Sequence, residues 1–304
     1  MSIREDMLRA ARRGRCARGG GDERTHREQG GEAAFVRGRR CRDGGYRGRG
    51  EGSDLYYTLF AVEALAAWGE PTGDAGLREY LERFGEGEGL DLVHLGCLIR
   101  CWRHAADGWD SGRRAAVRER LRAFRTADGG YGGRAGQTRG TVYGAFLAVG
   151  AYQDLGVSVP EAGRLAESVG GLELKDGGFG NEAGLRWATT AATAGALAVL
   201  RELGGARREE TVQWLRGRHL PGGGFEAAAG AGEADLLSTA TALHALASAR
   251  ADVGDARESC RRFVESLRTE EGGFRGTKGD GEADCEYTFY GLLALGHLAE
   301  GGDG

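Results

Sequence analysis

An all-α fold, six helix pairs closed into an (α/α)6 toroid, is predicted for this chain of 304 residues by three observations. A glycine-aromatic signature recurs at Gly45-Tyr46, Gly130-Tyr131, Gly178-Phe179, Gly224-Phe225 and Gly273-Phe274. Each copy is followed by a polar loop and then by a helical stretch that is apolar nearly all round, clearest in SDLYYTLFAVEAL (53–65), ADLLSTATALHAL (234–246) and ADCEYTFYGLLAL (283–295). Between these stretches lie segments with apolar residues at three- and four-residue steps and charges between them, the pattern of a helix with one wet face. A sustained period of this length marks a repeat architecture. Fully buried helices alternating with amphipathic ones imply two concentric layers, and closing the ring buries the end faces that an open stack leaves exposed.

In chain order, the buried-type helices start at Asp54, Asp91, Thr138, Arg186, Asp235 and Asp284. The second copy, LDLVHLGCLIRCW (90–102), has lost the aromatic signature but keeps the register. The amphipathic partners fall at 77–84, 113–124, 161–169, 209–216 and 257–267. Asp and Thr at helix starts act as N-caps worth about 1 kcal/mol each, and the glycine pairs suit tight turns with positive φ. The toroid is assigned to residues 32–300, with a mobile Arg/Gly-rich segment at 1–31 before it and a flexible tail at 301–304 after it. The stretch 12–31 has no apolar periodicity and reads as unstructured, an RNA-binding arginine-glycine tail being its functional alternative.

The composition narrows the function. There are 57 glycines and 3 prolines, and lysine occurs only at Lys175 and Lys278. The net charge of −4 is uneven, with a basic start and an acidic remainder, which argues against nucleic-acid binding. No stretch approaches the ~18 apolar residues of a membrane span. The start, MSIREDMLRAARRGR, lacks the apolar core of a signal peptide, so a cytoplasmic location is expected. Six irregularly spaced cysteines fit free thiols in a reducing compartment. His94, Cys97, Cys101 and His104 share one helical stripe, but four ligands spread over that much rise, about 15 Å, do not share one ion, so they read as core.

In such a ring the buried helices run side by side with their N-termini at one mouth, where their dipole ends favour an anionic group. The wall below is apolar, with Tyr56, Tyr57, His94, Tyr143, Trp187, Tyr287, Phe289 and Tyr290 in the first turns. An apolar well with a positive rim suits a long hydrophobic chain carrying a phosphate head.

The unit of glycine-aromatic turn, loop and helix resembles the repeats of protein prenyltransferase β subunits, above all the geranylgeranyl transferase type II β subunit, over residues 33–298. Squalene-hopene cyclases share the toroid more distantly, and their Asp-x-Asp-Asp motif does not occur in this sequence. The resemblance implies an isoprenoid diphosphate, or another lipid-like ligand, in the central cavity, and a helical partner subunit. It implies that Arg139, Arg186 and Lys278 hold the diphosphate while Tyr143, Trp187 and Tyr287 line the site. Asp235, with Asp284, would bind a metal or orient the acceptor. The family's zinc cysteine and histidine fall on Leu237 and Tyr287, so the zinc set is incomplete and no cofactor is assigned. Two further readings stay open: a non-catalytic lipid- or partner-binding scaffold, and a carbohydrate-acting toroid using carboxylates among Asp54, Asp91, Asp235 and Asp284.

Overall fold

The computed structural model describes residues 2–15, 31–105, 110–205 and 208–299. After α1 (Ile3–Gly14) come six helix pairs: α2 (Gly31–Arg37) with α3 (Leu55–Trp68), α4 (Ala75–Glu82) with α5 (Leu92–His104), and α6 (Ser111–Arg122) with α7 (Val142–Asp154). Then follow α8 (Ala162–Gly170) with α9 (Thr190–Glu202), α10 (Glu209–Arg216) with α11 (Leu236–Ser248), and α12 (Ala256–Ser266) with α13 (Cys285–Leu298). The odd-numbered helices from α3 to α13 pack each on the next, and α13 packs back on α3, so the inner ring is closed. The predicted toroid is present. The outer helices bury only a stripe, such as Val117 and Leu121 of α6 or Cys260, Phe263 and Val264 of α12.

The signature turns lock each outer layer onto the inner one. The buried backbone N–H of Tyr46, Phe179, Phe225 and Phe274 donates to the hydroxyl of Thr58, Thr193, Thr239 and Thr288 at 2.8, 2.9, 2.9 and 3.2 Å. Three of those hydroxyls donate in turn to the carbonyl of the capping residue: Thr58 to Asp54, Thr239 to Asp235 and Thr288 to Asp284. In the third pair the equivalent position is the buried Ala145, and one residue before it stands Gly144, where a Cβ would lie 2.1 Å from the Tyr131 carbonyl oxygen. The backbones touch there, and only glycine fits. Thr288→Val keeps the shape but strands the Phe274 N–H in the core, so the unfolding free energy is expected to fall by ~1–3 kcal/mol. A denaturant midpoint equal to that of the parent would contradict this role.

A second set of bonds joins neighbouring repeats at the mouth. The first N–H of α5, α7, α9 and α11 donates to a carbonyl of the following repeat's loop: Leu92 to Gly133, Val142 to Asn181, Thr190 to Ala227 and Leu236 to Gly276, at 2.8–3.1 Å. Between the last repeat and the first, Arg49 donates to Asp280 at 2.6 Å and to Asp284 at 3.0 Å. Ring closure is thus polar as well as apolar.

Three expectations need correction. Residues 1–31 were expected to be mobile, yet α1 is a helix with a Ser2–Glu5 capping box, packed on α13 and α3; residues 16–30 lie outside the described residues. Its Ile3 N–H donates to Gln153, Arg15 to the carbonyl of Trp68, and Arg13 to the carbonyl of Gly296. These partners sit at the C-terminal ends of α7, α3 and α13, so α1 lies across the end of the ring opposite the mouth. The helix starts placed at Thr138 and Arg186 are also revised, because the caps are Thr141 and Thr189, three residues later in each repeat. Finally, the positive mouth is largely spent internally, since cap side chains and neighbouring carbonyls already accept the N–H groups at the inner-helix starts.

Beside α1 lies a buried ionic cluster. Arg100 of α5 donates to Glu63 of α3 at 2.5 Å and to Asp154 of α7 at 2.7 Å. His104 stands 3.0 Å from Glu63, and Arg4 of α1 lies 3.7 Å from Asp154.

Candidate functional site

A cavity of about 370 Å³ occupies the centre of the ring, within the ~300–1,000 Å³ range of small-molecule sites. A second lobe of about 80 Å³ adjoins it. The caps set which side chains face inward. The second residue after each cap (Tyr56, Val93, Tyr143, Ala191, Leu237 and Glu286) lines one lobe or the other. Below this tier the wall is apolar and aromatic, with Phe146, Ala194, Ala198 and Tyr290 around it and Met7 of α1 beneath.

Glu286 is the only carboxylate among those six positions. The Tyr56 hydroxyl donates to its Oε1 at 2.6 Å. Burial raises its pKa above the ordinary 4.5, and nearby Asp284 adds to this against the opposing pull of Tyr56 and Arg49. Deeper in the cavity lies His244, whose Nδ1 is 3.1 Å from Nε2 of His297. Burial lowers His244 to about 4 and His297 well below 6.5, so both rings are neutral near pH 7. The site therefore pairs a carboxyl inclined to keep its proton with a neutral imidazole about 10 Å further in, seven residues of helix rise away.

The residues selected from sequence are scattered relative to this cavity. Tyr143 lines it, as do Tyr56 and Tyr290, while Phe289 faces the smaller lobe. Trp187 is 61% exposed and lines neither lobe, and Tyr57, His94 and Tyr287 do not line them either. Tyr287 packs against Gly276 with the Arg49 guanidinium 5.8 Å from its ring centre. Arg139, Arg186 and Lys278 are exposed on the loops before α7, α9 and α13, outside the cavity wall. Asp235 caps α11 through the Ser238 N–H at 2.7 Å. Asp284 caps α13, is 1% exposed, and is taken up by Arg49, so neither aspartate reaches the cavity.

A zinc ion like that of the prenyltransferases does not fit this donor set. Leu237, in place of the thiolate, faces the cavity with a hydrocarbon side chain, and Tyr287 is committed to the Arg49 contact. Among the described residues no group of three or more His, Cys, Asp or Glu side chains could hold a metal ion. Within the His94–His104 stripe Cys97 and Cys101 are core, His104 pairs with Glu63, and His94, its side chain 38% exposed at the helix start, pairs with its cap Asp91. Cys41, Cys97, Cys101, Cys260 and Cys285 are free. No helix among the described residues is long and apolar enough to cross a membrane.

Fold and cavity together define an α/α toroid built around a largely apolar central cavity. The model of the prenyltransferase alpha-alpha toroid domain matches residues 104–301, and the chain belongs to that family. No curated protein matches the sequence. Among solved structures, a variant of the type II terpene cyclase MstE from Scytonema in complex with merosterolic acid A is 16% identical. The match has a TM-score of 0.63 and covers 90% of this chain and 95% of that one. A protein from Actinoplanes is also 16% identical, with a TM-score of 0.61 over 91% of this chain and 98% of that one. The Candida albicans protein geranylgeranyltransferase-I complexed with GGPP is 15% identical, with a TM-score of 0.50 over 73% and 66% of the two chains. At these identities the likeness concerns the fold.

Proposed function

We propose that this toroid takes an isoprenoid chain into its central cavity and acts on it by proton transfer, with Glu286 as the acid. The observation that carries this reading is the carboxyl of Glu286, raised by burial and held by Tyr56, at the top of an apolar well. The Glu286 O–H would protonate a carbon–carbon double bond, the π electrons forming the new C–H bond. The resulting carbocation would lie against the aromatic faces of Tyr143, Phe146 and Tyr290. A proton lost from a carbon further along the chain would pass to the neutral His244 and restore a double bond. Structures of the same fold hold isoprenoid-bearing molecules, geranylgeranyl dihydroxybenzoate in MstE and GGPP in the Candida transferase, which supports this class of occupant. Incubation with geranylgeranyl compounds in heavy water, followed by mass spectrometry, tests the reading. Conversion with deuterium on carbon is expected, and no conversion across the set would refute it.

The resemblance to prenyltransferases supports a second reading, binding of a prenyl diphosphate, through one observation: three exposed cations on the mouth-side loops, Arg139, Arg186 and Lys278. On that reading Arg186→Ala weakens geranylgeranyl diphosphate binding about tenfold, the loss of one charge-assisted contact. On the acid-catalysed reading the same change leaves the affinity for the hydrocarbon chain within about twofold of the parent. Calorimetric titration with the diphosphate and with geranylgeraniol separates the two.

A further inference from the structure

The floor of the cavity is the part of its wall that the repeats do not supply. We propose that Met7 of α1 sets the length of chain the cavity accepts, so that α1 is a depth stop brought in from outside the ring. The class of occupant rests on the isoprenoid reading above.

Both lobes are walled by the same five residues: Met7, Tyr56, Tyr143, Phe146 and Tyr290. Four of these project from inner helices, where a change of size disturbs ring packing. Met7 alone belongs to the helix laid across the C-terminal ends. The smaller lobe runs beside the larger one from Val93 of the top tier to Met7, and borders Arg4 and Glu63 of the buried ionic cluster. A chain entering at the Glu286 tier and passing His244 runs towards α1, where Met7 borders both lobes.

The stop is firmly seated. At one end the Ile3 N–H binds Gln153 and Arg4 pairs with Asp154. At the other, α1 lies backbone to backbone on α13, since a Cβ on Gly296 would fall 1.7 Å from the Ala10 carbonyl oxygen and one on Gly14 would fall 2.0 Å from that of Leu292. A helix fixed at both ends does not retreat before a longer chain, so the limit passes to the side chain midway between them. Methionine is unbranched and adaptable, so trimming or enlarging it alters depth without changing the register of any repeat.

The test uses the full chain as wild type, Met7→Ala and Met7→Trp. Each is titrated by calorimetry with geraniol, farnesol and geranylgeraniol, and with unbranched alcohols of matched length. Met7→Ala is expected to shift the preference towards the longer members, with about a tenfold gain for the longest, and Met7→Trp to shift it the other way. Geraniol, too short to reach the floor, should bind all three proteins within about twofold, which certifies fold and mouth. A length preference unchanged in both variants overturns the depth stop. Should wild type bind the unbranched series and show the shift while ignoring the prenyl alcohols, the isoprenoid reading falls and the depth stop stands. Binding of neither series overturns both.

Discussion

Glu286→Gln is expected to lower turnover of an isoprenoid substrate by about 10²–10⁴-fold, the usual contribution of a positioned general acid, while leaving binding within a few-fold. Glutamine keeps the size and still accepts the Tyr56 hydroxyl bond, but it has no acidic proton to give. The split between turnover and affinity separates a chemical role from a packing role, which would move both. The pH profile adds an independent check. The acid form of Glu286 is the active one, so activity falls as pH rises through a value above the ordinary 4.5. The base form of His244 is required as well, so activity also falls as pH drops towards about 4. In the glutamine variant the alkaline limb should disappear from whatever activity remains. Persistence of that limb would remove Glu286 from the mechanism.

Glu63→Ala is expected to reduce the unfolding free energy by about 3–5 kcal/mol, the cost of leaving a buried charge without its partner. Arg100 is 2% exposed and held between Glu63 and Asp154, so deleting one carboxylate strands half of its guanidinium. Burial by itself would raise Glu63, but the charges of Arg100 and His104 outweigh it and hold the carboxyl at about 2. A pKa depressed below the unfolded value means that this stabilisation is present above about 4.5 and is lost as pH falls towards 2. Acid unfolding of the parent should therefore steepen in that interval, and the alanine variant should lack the step. Equal acid midpoints for the two proteins would contradict the account.

The fold was legible because its signals are local and repeated. The Gly-aromatic turn, the Asp or Thr cap and the all-round apolar helix each have a short-range cause, and six copies leave little freedom of assembly. The site was harder to read, and one register error explains much of the difference. Placing the third and fourth caps at Thr138 and Arg186 rather than Thr141 and Thr189 put Trp187 in the first turn of α9, which begins only at Thr190, and promoted Arg186 to the mouth. With the caps in place, the second residue after each one faces inward, and Glu286 emerges as the single acid. Asp235 and Asp284 drew attention for their charge, but their work is capping and, for Asp284, joining the first loop to the last. α1 has a local signal in its Ser2–Glu5 capping box, but nothing in the sequence says what the helix packs on, and the His244–His297 pair has no signal because the two rings meet only through the fold, 53 positions apart.

The closed ring also bears on how the molecule comes apart. In an open array the terminal repeat has one neighbour, so it frays first and unfolding proceeds inward as a series of small losses. Here each inner helix has a neighbour on both sides, and the Arg49 bridge to Asp280 and Asp284 gives the first and last repeats the partners they would otherwise lack. There is no weakest end from which melting can spread. Opening any one joint exposes two apolar faces at once, so the toroid should resist proteolysis until it gives way as a whole, with near-uniform hydrogen-exchange protection around all six inner helices.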